Sequence, residues 1–144
     1  MKKRLGKRRN SQSGMTLMEL LVVLLILSVI AAFAVPRVLN YVGGAKADGA
    51  AIQIERLDGI LELYQFDTGR VPTTQEGLLA LLSAPDGVSG WNGPYLKKES
   101  ALSDPWGAPY RYSAPGKHGA YDLYSLGADG QVGGEGDAAD VTNW

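Results

Sequence analysis

Four carboxylates lie among five glycines near the C-terminus, in the stretch LGADGQVGGEGDAADV at residues 126–141. The acids are Asp129, Glu135, Asp137 and Asp140. Glycines let a backbone fold tightly, so that carboxylates and carbonyl groups can converge, and calcium binds about six to eight such oxygens. The stretch does not match the D-x-[DN]-x-[DN]-G pattern of a helix-loop calcium site. Composition alone therefore favours a solvated acidic loop, with a calcium site as the alternative.

Another carboxylate has an unusual position at the front of an apolar run. Glu19 lies five residues after Gly14 and directly before Leu20–Val35, in which Ser28 is the only polar residue. An ionised carboxylate near hydrocarbon costs roughly several kcal/mol unless it is paired. For a membrane helix in general, the favoured interpretation is that Glu19 is solvated at the headgroup level.

The apolar run predicts a membrane-spanning helix. Residues 15–35 would extend about 31 Å as a helix, which matches a hydrocarbon core of about 30 Å. Residues 1–14 carry six lysines and arginines and no acid, whereas residues 15–144 carry eight basic and fifteen acidic groups, a net charge of −7. The basic end predicts a cytoplasmic N-terminus with the body across the membrane. The acidic body argues against nucleic acid as a partner.

The composition also excludes several kinds of chemical site. The chain has no cysteine, which excludes disulfides, thiolate metal sites and a cysteine nucleophile. His118 is the only histidine, which excludes a histidine-rich zinc site, and we assign it no function. A membrane-anchored hydrolase that uses paired acids is an alternative, but a glycine-rich loop is poorly suited to holding catalytic geometry. We interpret the three tryptophans as core and loop anchors: Trp91, Trp106 and Trp144.

The stretch GMTLMELLVVLLILSVIAAFAVP, from Gly14 to Pro36, resembles the class III signal of type IV pilins and pseudopilins. In that family a prepilin peptidase cuts after the glycine and methylates the new N-terminus. The resemblance therefore implies cleavage after Gly14, N-methylation of Met15 and assembly of subunits through Glu19. In the assembly, the new α-amine of Met15 would pair with Glu19 of a neighbouring subunit, and this interpretation replaces that of a solvated Glu19. This chain departs from the family at Met15, where phenylalanine is usual.

The rest of the chain has a more specific resemblance. The stretches YQFDTGRVPTTQEGLLAL, DPWGAPYRY, PGKHGAYDLYSLGADG and the terminal ADVTNW are similar to the major pseudopilins, or G subunits, of type II secretion systems. A type IV major pilin usually ends in a cysteine-bounded loop, and this chain has no cysteine. The resemblance covers residues 14–144. A type IV pilin or a minor pseudopilin is the alternative, followed by a membrane-anchored calcium-binding module.

This resemblance implies a structural protein and not an enzyme. The expected partners are further copies of the chain in a helical fibre, minor pseudopilins, a prepilin peptidase and an inner-membrane assembly platform. The fibre would help to export folded proteins across the outer membrane. The expected location is the inner membrane, with one span, a cytoplasmic N-terminus and a periplasmic head.

The resemblance also shifts the interpretation of the acidic stretch toward calcium. It implies Ca²⁺ as the cofactor, with the carboxylates of Asp129 and Asp140 and the carbonyl of Leu126 as ligands. The intervening segment varies in length within the family. Three positions there are weaker candidates for ligands: Val132, Glu135 and Asp137.

The expected fold is α+β and type IV pilin-like, with one long helix packed on a small antiparallel sheet and a calcium-binding C-terminal loop. The helix is predicted over about residues 16–66, loosened at Pro36 and at Gly43–Gly44. Its second half shows an apolar stripe at helical spacing. The stripe consists of Ile54, Leu57, Leu61 and Tyr64.

The head is predicted to contain a second helix and two or three strands. Thr73 and Glu76 have capping-box spacing at the start of a leucine-rich helix. Strands are predicted over residues 109–114 and 119–126, joined by the turn APGKHG, with a third short strand near Tyr95–Lys97. The predicted domains are a leader at residues 1–14, a transmembrane and assembly helix at 15–36, and a periplasmic head at 37–144.

Overall fold

The computed structural model describes residues 14–144, apart from the side chain of Asn40. The predicted leader at residues 1–14 lies outside this range except for Gly14. The structure separates into two compact units with a boundary after Arg37. Helix α1, Leu17–Thr68, contributes residues to both units and continues through Pro36.

The sheet has three antiparallel strands in the order β1-β2-β3. Strand β1 is Arg111–Ser113, β2 is Asp122–Ser125 and β3 is Val141–Thr142. Tyr112 pairs with Leu123 in the first ladder. Within residues 14–144, three short 3₁₀ helices lie at Gly77–Leu81, Glu99–Leu102 and Gly136–Ala138. The predicted architecture, one long helix with a small antiparallel sheet, is confirmed.

The predicted apolar stripe forms the core of the second unit. The side chains of Leu57, Leu61 and Tyr64 are fully buried, and Ile54 is nearly so. They pack with buried side chains from the sheet and the loops, because a helix must cover its apolar stripe with another layer. These partners are Leu78, Leu81, Leu96, Leu102, Tyr110 and Leu123.

The predicted second helix is a single short 3₁₀ helix, although its capping box is present. The Glu76 amide donates to Thr73 Oγ1 at 3.2 Å, and the Thr73 amide donates to Glu76 Oε2 at 2.7 Å. Gly77 follows with a φ of +56°, which lies in the left-handed region and interrupts a right-handed α-helix. Two of the leucines that follow, Leu78 and Leu81, are buried.

Two strands are shorter than predicted because neighbouring residues pair elsewhere. Pro109 forms an isolated bridge with Ser103, and the Tyr110 amide donates to the Leu102 carbonyl at 3.0 Å. These residues therefore join the 3₁₀ helix at Glu99–Leu102 and not β2. On the other side of the hairpin, the Gly116 amide donates to the Ala120 carbonyl at 3.3 Å, which keeps that segment in the turn.

The prediction of a strand near Tyr95–Lys97 is wrong. The amides of Tyr95 and Leu96 both donate to the Leu81 carbonyl, at 2.8 and 3.1 Å, so this segment is tied to a 3₁₀ helix. The third strand is formed by Val141–Thr142 at the end of the chain. It is extended by Asn143, whose amide donates to the Leu123 carbonyl at 3.0 Å.

Candidate functional site

The predicted processing and assembly residues lie at the start of α1. Gly14, Met15 and Thr16 precede the helix and are exposed. Thr16 Oγ1 accepts the Glu19 amide at 3.2 Å, which satisfies one of the free N–H groups of the first turn. Glu19 lies in that first turn, where a negative charge interacts favourably with the helix dipole. The structure therefore presents Glu19 on an exposed helix start.

The apolar part of α1 has the length and composition of a membrane span. Among the described residues, α1 is the one helix that is long and apolar enough to cross a membrane. No residue in its most apolar 18-residue stretch is buried. All described residues from Gly14 to Leu39 are exposed. An apolar helix surface of this size is typical of a segment that contacts lipid or another helix.

The second candidate site is the C-terminal loop, defined here as residues 126–140. The Ala128 amide donates to the Asp137 carbonyl at 2.9 Å, which joins the two ends of the loop. Gly127 has a φ of +65°, and a Cβ there would lie 2.7 Å from the Ala139 carbonyl oxygen. A side chain at this position would collide with backbone. A glycine at position 127 is therefore required for the loop to close.

Asp140 has the most informative position among the predicted calcium ligands. Its Oδ2 accepts the Gly133 amide at 2.9 Å. Its Oδ1 is buried, and within residues 14–144 it has no hydrogen-bond partner. A buried polar atom without a partner costs about 1–3 kcal/mol. A cation in the loop would satisfy this oxygen.

The other predicted ligands have different surroundings. Asp129 Oδ1 accepts the amide of Gln131 at 3.0 Å, in a local turn. Val132 and Glu135 are exposed. Within residues 14–144, the structure contains no group of three or more Asp, Glu, His or Cys side chains converging on one point. A calcium site in this loop would therefore depend on backbone carbonyls, such as that of Leu126, as well as on carboxylates.

Asp137 is engaged by a tryptophan. Its Oδ1 accepts the indole Nε1–H of Trp106 at 3.0 Å. The two residues are 31 positions apart in the sequence. Trp106 is thus a loop anchor, as predicted, whereas Asp137 has a partner that the sequence did not indicate.

Asp104 is a residue of this region that sequence reasoning missed. It is nearly buried, and its Oδ1 accepts the amides of Trp106 and Ala108 at 3.0 and 2.9 Å. Its Oδ2 accepts the hydroxyl of Ser125 at 2.5 Å. Ser125 Oγ in turn accepts the Gly127 amide at 3.2 Å. The DPWGAP motif was the available signal, because aspartate followed by proline and glycine is typical of a side-chain-stabilised turn.

The side chain of Asn143 holds the chain end to the backbone of β2 and to Asp58 of α1. Asn143 Oδ1 accepts the Leu123 amide at 2.9 Å, and its Nδ2 donates to Asp58 Oδ1 at 3.1 Å. The hydroxyl of Tyr121 donates to the same oxygen of Asp58 at 2.7 Å. Burial, followed by this bond to a carboxylate, raises the pKa of Tyr121. The chain end that follows the C-terminal loop is therefore fixed to α1 through Asp58.

His118, to which no function was assigned from the sequence, packs against the chain end. Its ring stacks on Trp144 with centroids 4.1 Å apart, and its Nδ1 lies 3.2 Å from Asp122 Oδ2. Burial disfavours the charge on Asp122, but hydrogen bonds from the amides of Lys117 and His118 and from the His118 ring outweigh it and lower its pKa. These contacts are structural, and they hold the hairpin turn against the C-terminus.

Comparison with known protein families gives two matches that cover most of the chain. The model described as type II secretion system (T2SS), protein G matches residues 37–144. The model described as the prokaryotic N-terminal methylation motif matches residues 9–35. The second match includes the predicted processing residues.

Curated relatives and a solved structure are similar over most of their length. The type II secretion system core protein G of Pseudomonas aeruginosa is 45% identical over 141 residues, which cover 95% of this chain and 98% of that protein. The core protein G of Vibrio cholerae is 41% identical and covers 96% of this chain and 95% of that protein. The crystal structure of the major pseudopilin from the type 2 secretion system of enterohaemorrhagic Escherichia coli matches with a TM-score of 0.60 and 31% identity. That match covers 69% of this chain and 83% of the other.

Proposed function

We propose the following function for this chain, which belongs to the protein G family of type II secretion systems. It is a structural subunit of the T2SS pseudopilus. In this role it is anchored through its apolar N-terminal helix and assembles with other components of the secretion system. The members of this family are structural pseudopilins, so we infer that the chain acts by assembly and not by catalysis.

The exposed apolar half of α1 is the observation that carries the proposed mode of assembly. It presents an apolar surface with one carboxylate, Glu19, in its first turn. We infer that a prepilin peptidase cleaves after Gly14 and methylates Met15. In the fibre, the new amine of one subunit neutralises Glu19 of its neighbour, while the apolar surfaces of the helices pack together.

The finer partners and the topology follow from this role as proposals. The basic residues 1–14 favour a cytoplasmic N-terminus, and the head at residues 37–144 would then be periplasmic. The proposed partners are further copies of this chain, minor pseudopilins and an inner-membrane assembly platform. Growth of the fibre would help to move folded proteins across the outer membrane.

We also propose that the C-terminal loop binds Ca²⁺. The ligands would be the carboxylates of Asp129 and Asp140 and the carbonyl of Leu126. The buried, unpartnered Oδ1 of Asp140 supports this proposal, because a cation would compensate for its lost hydration. The bound ion would neutralise nearby carboxylates and stabilise the closed loop.

Substitution of Gly14 tests the proposed processing. Gly14→Ala should block cleavage, so that intact-mass spectrometry of the membrane-extracted chain finds the unprocessed precursor. The matched control is Gly6→Ala, which changes a leader glycine away from the cleavage site and should leave an N-methylated Met15 as the first residue. A mature N-terminus at Met15 in the Gly14→Ala variant would refute the cleavage site.

A further inference from the structure

We propose that Trp106, Asp137 and Gly43 form a clamp that holds the C-terminal loop on helix α1. In this proposal Asp137 acts as the clamp residue and is not a calcium ligand. The clamp itself is independent of the calcium proposal, and only its coupling to calcium rests on that proposal. Three sets of contacts support the clamp. They involve the C-terminal loop, helix α1 and the turn that carries Trp106.

The first contact fixes the side chain of Asp137 from outside the loop. The indole Nε1–H of Trp106 donates to Asp137 Oδ1 at 3.0 Å. The carbonyl of Asp137 accepts the Ala128 amide at 2.9 Å. The same residue therefore closes the loop through its backbone and meets Trp106 through its side chain.

The second contact places the Asp137 side chain directly on the backbone of α1. A Cβ added at Gly43 would lie 2.8 Å from both Cβ and Cγ of Asp137, and 3.0 Å from its Oδ1. A side chain at position 43 would therefore force the Asp137 side chain to move. Gly43 is buried, and a glycine inside a helix costs about 1 kcal/mol relative to alanine. The contact with Asp137 gives this cost a structural reason.

The adjacent glycine provides the internal comparison. A Cβ at Gly44 would meet no heavy atom within 4 Å. Gly43 and Gly44 thus occupy consecutive positions of the same helix, but only Gly43 lies under the loop. An alanine should have opposite effects at the two positions.

The third set of contacts holds the backbone of Trp106 in place. Asp104 Oδ1 accepts the amides of Trp106 and Ala108, while Asp104 Oδ2 accepts the Ser125 hydroxyl. Ser125 also accepts the amide of Gly127, at the start of the loop. Asp104 therefore connects Trp106 with strand β2, which leads into the C-terminal loop.

The clamp predicts coupling between calcium binding and the seating of the loop on α1. An ion bound by Asp129 and Asp140 would order the loop that carries Asp137. By linkage, loss of the clamp should weaken calcium binding by the same factor by which calcium strengthens the clamp.

The two glycines test the clamp in the full-length chain in detergent with chelator present. Gly44→Ala should leave the melting temperature unchanged or raise it, because alanine favours a helix more than glycine does. Gly43→Ala should lower the melting temperature by about 4 °C or more, because it displaces Asp137. It should also shift the indole Nε1–H resonance of Trp106 in NMR spectra. If both variants melt alike and the indole resonance stays in place, the clamp does not exist.

Asp137 variants separate a clamp residue from a calcium ligand. Asp137→Asn keeps an oxygen that accepts the indole hydrogen, so it should retain the Trp106 resonance and keep the calcium dissociation constant within about 3-fold. Asp137→Ala should lose the resonance and weaken calcium binding, which calorimetry measures. If Asp137→Asn abolishes calcium binding while the resonance persists, Asp137 is a ligand and the proposed role is wrong. If the wild-type chain binds no calcium, the calcium proposal fails, and the melting and NMR comparisons still decide whether the clamp exists.

Discussion

At the residue scale, Glu76 links the end of α1 to the 3₁₀ helix that follows. Its two carboxylate oxygens accept hydrogen bonds from Arg70 at 2.6 and 2.7 Å, and Oε2 also accepts the Thr73 amide. The hydrogen bonds from Arg70 outweigh the effect of burial and lower the pKa of Glu76 from 4.5 to about 2. Because the folded-state pKa is the lower one, the pair stabilises the fold above about pH 4.5 and loses this contribution as the pH falls toward 2.

Glu76→Gln should therefore remove part of the acid sensitivity of the fold. At pH 6 we expect the free energy of unfolding to fall by about 1 kcal/mol, because Arg70 is partly exposed and the pair is screened by water. At pH 2 the variant and the wild type should differ little. Urea unfolding of the full-length chain in detergent at both pH values measures this difference, with the exposed Glu99→Gln as the control. An equal loss of stability at pH 6 and pH 2 would contradict the assignment.

Residue identity alone predicted some of these roles and missed others. The Thr73–Glu76 box was predictable because its partners are three positions apart and the pattern is local. The Arg70 partner of Glu76 and the Trp106 partner of Asp137 were not, because they depend on how loops return to the helix. Asp104 was also missed, since its turn motif gives no sign of the bond to Ser125.

At the element scale, long periodic segments were predictable and short ones were not. Helix α1 was predicted over residues 16–66 and is observed at Leu17–Thr68, because its apolar pattern persists over many turns. Strand β3 has two residues, Val141 and Thr142, and no alternation pattern can be recognised over two positions. Beyond the strand, Asn143 bonds Leu123 through both its side-chain Oδ1 and its own amide, a contact that no strand pattern indicates.

The C-terminal loop is the element whose stability should depend on a cation. Calcium should raise the melting temperature of the full-length chain, and chelator should reverse the rise, because the ion binds the folded loop and not the unfolded chain. Asp140→Asn should remove this response, since it replaces the carboxylate whose Oδ1 is buried and unpartnered within residues 14–144. The control is Glu135→Gln, an exposed acid of the same loop. A melting temperature that ignores both calcium and chelator would count against the site.

At the scale of the whole molecule, the chain combines an exposed apolar helix with a head that has its own core. The head buries the apolar stripe of α1 internally, whereas the residues from Gly14 to Leu39 are all exposed. In the proposed assembly, the helix surface that contacts lipid before assembly would be the one that contacts other subunits afterwards. Sequence alone indicated this division, because the apolar run and the stripe have different patterns.

The central claim is that cleavage after Gly14 gives Glu19, which would be buried in the fibre, a positively charged partner on a neighbouring subunit. A cryo-electron microscopy structure of the assembled fibre tests it most directly. We expect Met15 to be the first residue, with its amine within about 4 Å of the Glu19 carboxylate of an adjacent subunit. A fibre in which Glu19 faces water, or in which the basic leader is still attached, would contradict the account.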